Sequence, residues 1–392
     1  MRPDAPYKRA RHASPLQYKE ELGGISIFKE NYNVKGLVLA GVHCWDHSSF
    51  DEKIPRPLIP VANNPLISYV LYWFYNEGVR KVTICANSAS RQMRKYLSDG
   101  SQLGMDFDYY EDRIPRGPAG CIFDALTPEI PGTLIVAEGT CIPRANLTEM
   151  LEVHFKSKAT LTIAVESGKN EFFTPAGIYM LDRTAVECIR ETGYQDIKEN
   201  LIPHLYTLGQ KIQTYPVEPC LRVNNIESYL KTNEWVLRKI INQESFLAEY
   251  QKIGEGKIHF SASLGKDVKF IGPVIVGSET IIDNNVTIIG PSIIGRDNRV
   301  REQSIICRSI IWDGCTISKN CFIDQCVLPA KCEIQNQTRL YNTLYFTSAN
   351  SKANNHKISK SECEICERNY SQIPFTRLFF MEKRFAARTL RM

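Results

Sequence analysis

The stretch "PVIVGSETIIDNNVTIIGPSIIGRDNRV", residues 273–300, places an isoleucine or valine at every sixth position: Val276, Ile282, Ile288, Ile294 and Val300. Between them stand Gly, Ser, Asp and Asn, the residues of tight turns. An α-helix repeats every 3.6 residues and a strand every two, so neither holds this period over many turns. A sustained hexad is the signature of a parallel β-helix, in which each hexapeptide forms one face of a triangular coil. The period begins upstream at Ile258, Leu264 and Phe270, runs to Ile306, and is expected to slip by one to Ile305, Ile311, Ile317 and Ile323. Residues 254–334 are therefore expected to build about four coils. Cys315, Cys321, Cys326 and Cys332 suit small corner positions of such coils. No histidine lies between Phe260 and His356, so the imidazole base of an acyl transfer on the β-helix is missing.

Upstream of the hexads the rhythm is different. "KGLVLA" (35–40), "KVTICA" (81–86), "TLIVA" (133–137) and "ATLTIAV" (159–165) are short β-rich apolar runs. The first two flank "NNPLISYVLYWFYNEG" (63–78), a helical stretch. There Asn64 is expected to cap, Leu66, Tyr69, Val70 and Trp73 to share one face, and Gly78 to end the helix. Strand, helix, strand at this spacing means parallel strands joined by crossovers, hence an α/β domain over residues 34–235. "SYLKTNEWVLRKIINQESFLAEYQ" reads as a helix connecting it, over 236–253, to the hexads. Ligands of such sheets sit beyond the carboxyl ends of the strands, so chemistry is expected after Ala40.

Composition narrows the class. The 392 residues suffice for two domains and tails, and 43% hydrophobic with 23% charged residues is ordinary for a folded water-soluble chain. A net charge of +5, spread along the chain, makes no case for nucleic acid. No apolar run reaches the roughly 18 residues of a membrane span. The polar, basic arm 1–33 lacks the apolar core of a secretory signal. Thirteen cysteines without paired spacing suit free thiols in a reducing compartment, and a cytoplasmic setting is expected.

Several motifs, taken in order, resemble those of the sugar-1-phosphate nucleotidyltransferases. "LVLAG" (37–41) is similar to their first strand and loop glycine. "PRPLIPVANNPLISY" (55–69) resembles their "PKPLLPVAGKPLI", with Arg56 for the lysine. "PRGPAGCIFDA" (115–125) is similar to the base-binding "PLGTAGAL" and retains Gly117, Ala119 and Gly120. "PAGIYMLD" (175–182) resembles "NAGIYVLD", with Gly177 on the sugar side, and "NNIESYL" (224–230) resembles "GTPEDYL". The resemblance spans roughly 34–334 and implies a Rossmann-like nucleotidyltransferase domain followed by a left-handed parallel β-helix. It also implies a reaction in which a sugar-1-phosphate attacks a nucleoside triphosphate and pyrophosphate leaves. Ala40, Gly41, Arg56, Gly117, Ala119 and Gly120 would then line the nucleotide, and Mg2+ would be the cofactor of an active enzyme.

Four parts of that pattern are missing. Gly41 is followed by Val42, with no Gly-Thr-Arg to wrap the phosphates. Thr140 stands where the resemblance places one metal-binding aspartate, and Arg222 where it places the other. The segment from Thr160 to Pro175 is too short for the usual sugar-binding hairpin. Arg222 could imitate the lost cation or be a paired surface arginine. Glu138, two residues before Thr140, could substitute as a metal ligand or be a buried structural carboxylate. The expectation is a nucleotide- or nucleotide-sugar-binding protein of surface-polysaccharide metabolism with weak or no catalysis, regulatory or scaffolding. The alternative is an active nucleotidyltransferase with a rebuilt metal site.

Two metal-like clusters lack a matching second pair: His43, Cys44, Asp46 and His47, and Cys363 with Cys366. A rebuilt loop with a satisfied histidine is the better reading of the first, and the second has the spacing of only half a zinc site. Within the tail 335–392, "RLFFMEKRFAARTLRM" (377–392) has Leu378, Met381, Phe385 and Met392 on one helical face flanked by Arg384, Arg388 and Arg391. Such a helix would dock on an anionic membrane surface or a membrane glycosyltransferase, at the inner face of the membrane, or fold back as a cap on the last coil. The resemblance leaves room for a homo-oligomer.

Overall fold

The computed structural model describes residues 33–41, 55–87, 90–126, 129–167, 173–242 and 249–345. The arm 1–32, the loop 42–54 with its His-Cys-Asp-His cluster, and the tail with Cys363, Cys366 and the basic segment lie outside them. Two compact units divide between Phe260 and Ser261.

In the first unit the chain runs β1 (Val34–Leu39), β2 (Pro60–Val61), β3 (Asn64–Pro65), α1 (Leu66–Asn76), β4 (Lys81–Ala86), α2 (Ser90–Leu97), β5 (Asp106–Glu111) and α3 (Gly117–Leu126). It continues through β6 (Thr133–Glu138), β7 (Cys141–Ile142), α4 (Leu147–Ser157), β8 (Leu161–Ser167), β9 (Phe173–Asp182) and α5 (Arg183–Glu187). Then come a π-helical turn (Ile197–Leu201), α6 (Ile202–Thr207), β10 (Ile212–Val217), β11 (Leu221–Arg222) and α7 (Ile226–Ile240). A seven-stranded sheet has the order β10-β8-β9-β6-β1-β4-β5. β9 alone runs antiparallel to both its neighbours. The central strands are apolar on both sides because both faces are covered. Val38, Ile135 and Met180 pack with α1, α2 and α4 on one face. Leu37, Leu134, Val136 and Tyr179 pack with α3, α5 and α6 on the other.

The helix α1 departs from the reading of its sequence. Asn64 does not cap it; with Pro65 it forms β3, paired to Pro60 and Val61 across a two-residue turn. Ala62 and Asn63 in that turn have φ of 45° and 64°, as a tight hairpin requires. The buried face is Leu66, Ile67, Val70, Leu71 and Phe74. Tyr69 and Trp73 lie at its edge, where the Tyr69 hydroxyl donates to Val61 O (2.9 Å) and Trp73 Nε1 to Ala145 O (2.8 Å). The connecting helix also differs. α7 starts at Ile226, behind an Asn225–Ser228 capping box, and ends at Ile240. Tyr250–Ile253, expected in that helix, is strand β12, hairpinned to β13 (Gly256–His259). α7 is tied to the β2–β3 hairpin, since the Tyr229 hydroxyl donates to Pro60 O and Asn233 Oδ1 accepts from Ala62 N (2.9 Å).

The second unit consists of stacked parallel strands of a left-handed β-helix, and Val276, Ile282, Ile288, Ile294, Val300 and Ile306 all point inward, at most 1% exposed. Along one face Ser263 pairs with Ile281 and Ile281 with Arg299, steps of eighteen. Arg299 then pairs with Thr316 and Thr316 with Glu333, steps of seventeen. The lost residue accounts for the slip in the hexads and corrects its place. Ile306 is still inward and Ile305 outward, so the deletion falls after Cys307, where Arg308 alone stands for Gly290-Pro291 one coil earlier. Arg308, Gln325 and Asn342 make that corner in successive coils, each at positive φ.

Candidate functional site

β1 occupies the point where strand order reverses, with β4 on one side and β6 on the other, both parallel to it. In open α/β sheets the crevice beyond the carboxyl ends at such a point is the default ligand position. Leu39 is in register with Glu138, and Gly139 N–H donates to Leu39 O (2.9 Å). Ala40 and Gly41 therefore stand beside Gly139 and Thr140. Ala40 is buried, its N–H donating to Cys85 O (2.8 Å). A Cβ built on Gly41 meets no described atom within 4 Å.

Glu138, Gly177 and Arg222, from three strands, converge at this edge. Arg222 pairs in register with Cys141 through the small β7–β11 ladder, which aims its side chain back over the sheet. Its guanidinium donates to Glu166 Oε1 at 2.5 Å and to Pro175 O at 3.3 Å, and its Nε lies 3.6 Å from Glu138 Oε2. The Glu166 side chain is only 12% exposed, so its charge needs this partner. Burial works against the Arg222 cation, but the Glu166 hydrogen bond and the Glu138 charge outweigh it and raise its pKa above the ordinary arginine value. Gly177 has φ +77°, and a Cβ there would lie 2.5 Å from the Glu138 carboxyl carbon. That glycine gives the carboxylate its space. The cluster carries one positive and two negative charges.

These residues do not fit magnesium. Thr140 offers one hydroxyl, and the two carboxylates that could serve as hard ligands both face the guanidinium. Among the described residues no group of three or more His, Cys, Asp or Glu side chains is arranged to hold a metal ion. Beneath the cluster, the Cys141 thiol donates to Glu138 O (3.2 Å), and contact with the Cys220 thiol together with burial raises its pKa.

Gly117, Ala119 and Gly120 form a separate group at the start of α3. Gln195 N–H donates to Arg116 O (2.6 Å), while its carbonyl accepts from Ala119 N–H (3.0 Å) and Gly120 N–H (3.3 Å). Gly117 takes φ +83°, and a Cβ on it would be 2.5 Å from Gln195 O. The turn thus depends on a residue 78 positions away in sequence. Arg116, bidentate to Asp124 at 2.9 and 2.7 Å, braces it from the other side. Arg56 is buried in the 3-10 turn (Arg56–Leu58) before β2.

Glu166, the Pro175 carbonyl and Gln195 escaped the reading of the sequence. Glu166 carried a signal: it is the one charged side chain in the apolar run of β8. Gln195 carried none, because its contribution is made by its backbone.

Residues 50–192 match the family profile described as Nucleotidyl transferase, and residues 259–342 the profile described as GlmU-like, C-terminal hexapeptide. The chain is 23% identical over 143 residues to D-glycero-alpha-D-manno-heptose 1-phosphate guanylyltransferase of Aneurinibacillus thermoaerophilus, covering 36% of this chain and 61% of that protein. It is 21% identical to UTP--glucose-1-phosphate uridylyltransferase of Synechocystis, over 71% of this chain and 83% of the other. It is 22% identical to mannose-1-phosphate guanylyltransferase of Mycobacterium tuberculosis, over 75% and 84%.

Proposed function

We propose that this member of the nucleotidyl transferase family, whose second domain is a GlmU-like hexapeptide domain, binds a nucleotide or nucleotide sugar at the carboxyl edge of its sheet with little or no nucleotidyl transfer. The observation that carries the reading is Arg222, held between Glu138 and Glu166. The named relatives act on sugar-1-phosphates with a nucleotide. In such chemistry, neutralising the phosphates supplies several kcal/mol of transition-state stabilisation, and each 1.36 kcal/mol is tenfold in rate. The single positive charge of Arg222 is already met by Glu138 and Glu166, so it does not replace the two charges of a divalent ion. Gly41, where an added Cβ meets no described atom, leaves room for close approach of a phosphate; Ala40 N–H is spent on Cys85 O, and the Ala119 and Gly120 amides on Gln195 O, so these three serve the ligand through the shape of their turns. A protein that holds such a ligand without consuming it suits a regulatory or scaffolding role, delivering it to a glycosyltransferase at a membrane surface through 377–392.

A second reading draws on the same two carboxylates. If a ligand displaces Arg222, Glu138 and Glu166 become oxygen donors for Mg2+ in an active transferase. One experiment separates the two: calorimetric titration with a panel of nucleoside triphosphates and nucleotide sugars, with and without magnesium, beside a pyrophosphate-release assay. Metal-independent binding with release at background supports the first reading. Magnesium-dependent turnover abolished by Glu138→Gln would establish the second, and no binding of any panel member would sink both. Thr140→Asp combined with Arg222→Asp should create magnesium binding that the native chain lacks.

A further inference from the structure

A surface hollow of about 330 Å³ opens beside α6, away from the Glu138–Arg222 cluster in sequence and lined by Cys188, Arg190, Gln195, Glu199, Asn200 and His204 among others; Arg190, Glu199 and Asn200 are exposed on its rim. Its size is that of a small-molecule site. Among the described residues no ion pair is formed by Arg190, Glu199 or His204. One wall is the π-helical turn Ile197–Leu201, a distortion that often marks functional positions. Asp196 caps that turn, its carboxylate accepting from Lys198 N–H (2.6 Å) and Glu199 N–H (3.0 Å), and Asn200 Oδ1 accepts from Asp196 N–H (2.7 Å). The Asn200 amide nitrogen is left to donate elsewhere.

We infer that this cavity binds a small hydroxylated anion and transmits its occupancy to the Gly117–Gly120 turn. Arg190 and His204 supply cationic and donor groups for a phosphate or carboxylate. Glu199, on the same rim, repels a bare anion and rewards one that carries hydroxyl groups. Gln195 is the link. It lines the cavity, while its backbone N–H and C=O make the three hydrogen bonds to Arg116, Ala119 and Gly120. Because its backbone makes all three of these bonds, a displacement of Gln195 is passed to the turn.

The test titrates the full chain with glycerol phosphate, inorganic phosphate and glycerol. Glycerol phosphate is expected to bind best, phosphate at least several-fold more weakly, and glycerol not at all. Arg190→Gln and His204→Gln should each weaken glycerol phosphate by about tenfold, the scale of a charge-assisted hydrogen bond. Glu199→Gln should erase its advantage over phosphate, and Arg222→Gln should leave it unchanged. Hydrogen exchange at the Ala119 and Gly120 amides should shift when glycerol phosphate binds. Absence of saturable binding overturns the site, as does binding that ignores Arg190→Gln and His204→Gln or disappears in Arg222→Gln. Binding with unchanged exchange at both amides overturns the coupling. Neither readout requires a nucleotide, so this site and the nucleotide reading can fail separately.

Discussion

His154 is buried on α4, its Nδ1 sharing a 2.8 Å hydrogen bond with Thr162 Oγ1. Burial lowers its pKa from 6.5 to about 4, so the folded state keeps the ring neutral. The resulting stability is present in full above pH 6.5 and is lost as pH falls towards 4, by up to about 3 kcal/mol. Urea midpoints at pH 7 and pH 4.5 should therefore differ more for the native chain than for His154→Gln; equal differences would show that this ring is not responsible. Gly177 sets a second prediction. Alanine there meets both an unfavourable φ of +77° and the Glu138 carboxylate, so Gly177→Ala should cost more than about 1 kcal/mol. It should also weaken nucleotide binding by pushing Glu138 off Arg222. An unchanged melting temperature would count against the packing described. Both effects depend on neighbours that arrive from other strands, which is why neither could be read from the residue and its flanks.

In the β-helix the repeating element is the coil corner, where one side chain takes the amide of the residue one coil on. Thr280 Oγ1 accepts from Asn298 N–H (3.3 Å), and Asn298 Oδ1 from Cys315 N–H (2.7 Å). Ser292 and Ser309 do the same at a second corner, and Ser304 at a third. Cys315, Cys321, Cys326 and Cys332 continue these ladders, their thiols donating to carbonyls at 3.1, 3.1, 3.2 and 3.4 Å. Their corner placement was legible from spacing alone, since small polar side chains suit a tight bend. Asn298 is the misfit, with its buried Nδ2 unpartnered. Asn298→Ala should destabilise by about 1–3 kcal/mol by orphaning the Cys315 amide. Asn298→Thr, which copies Thr280, should cost clearly less. Denaturant unfolding of the two variants gives the comparison, and equal losses would refute the ladder. For α1 and α7 the sequence was legible as helix but not in its ends. A tertiary hairpin took Asn64, and α7, begun at Ile226 by the Asn225–Ser228 box, stops at Ile240, well short of the stretch read as helix.

At the scale of the molecule, each of the two units buries a core of its own. Scanning calorimetry should resolve more than one transition. A nucleotide or nucleotide sugar should raise the one belonging to the sheet domain, by the linkage between binding and stability. A single ligand-insensitive transition would argue against both the division and the binding. Of the ten cysteines among the described residues, nine are buried and Cys188 is intermediate. Burial pushes Cys307 and Cys326 up to about 12, so these thiols are protonated and shielded. Alkylation followed by peptide mapping should therefore label Cys188 well before the others. Among the described residues no helix is long and apolar enough to cross a membrane.

The sequence by itself determined the order of parts: parallel strands with crossovers, then coils of hexapeptides. Both are periodic, and a period records which side of the chain must leave water. It also shows Thr140 and Arg222 at positions where the resemblance leads one to expect aspartates. Tertiary structure alone decided what Arg222 does. A guanidinium between Glu138, Glu166 and the Pro175 carbonyl is a product of four segments brought to one sheet edge, and no local pattern encodes their distances. The same holds for Gln195, which supports the Gly117 turn through backbone atoms that every residue except proline possesses.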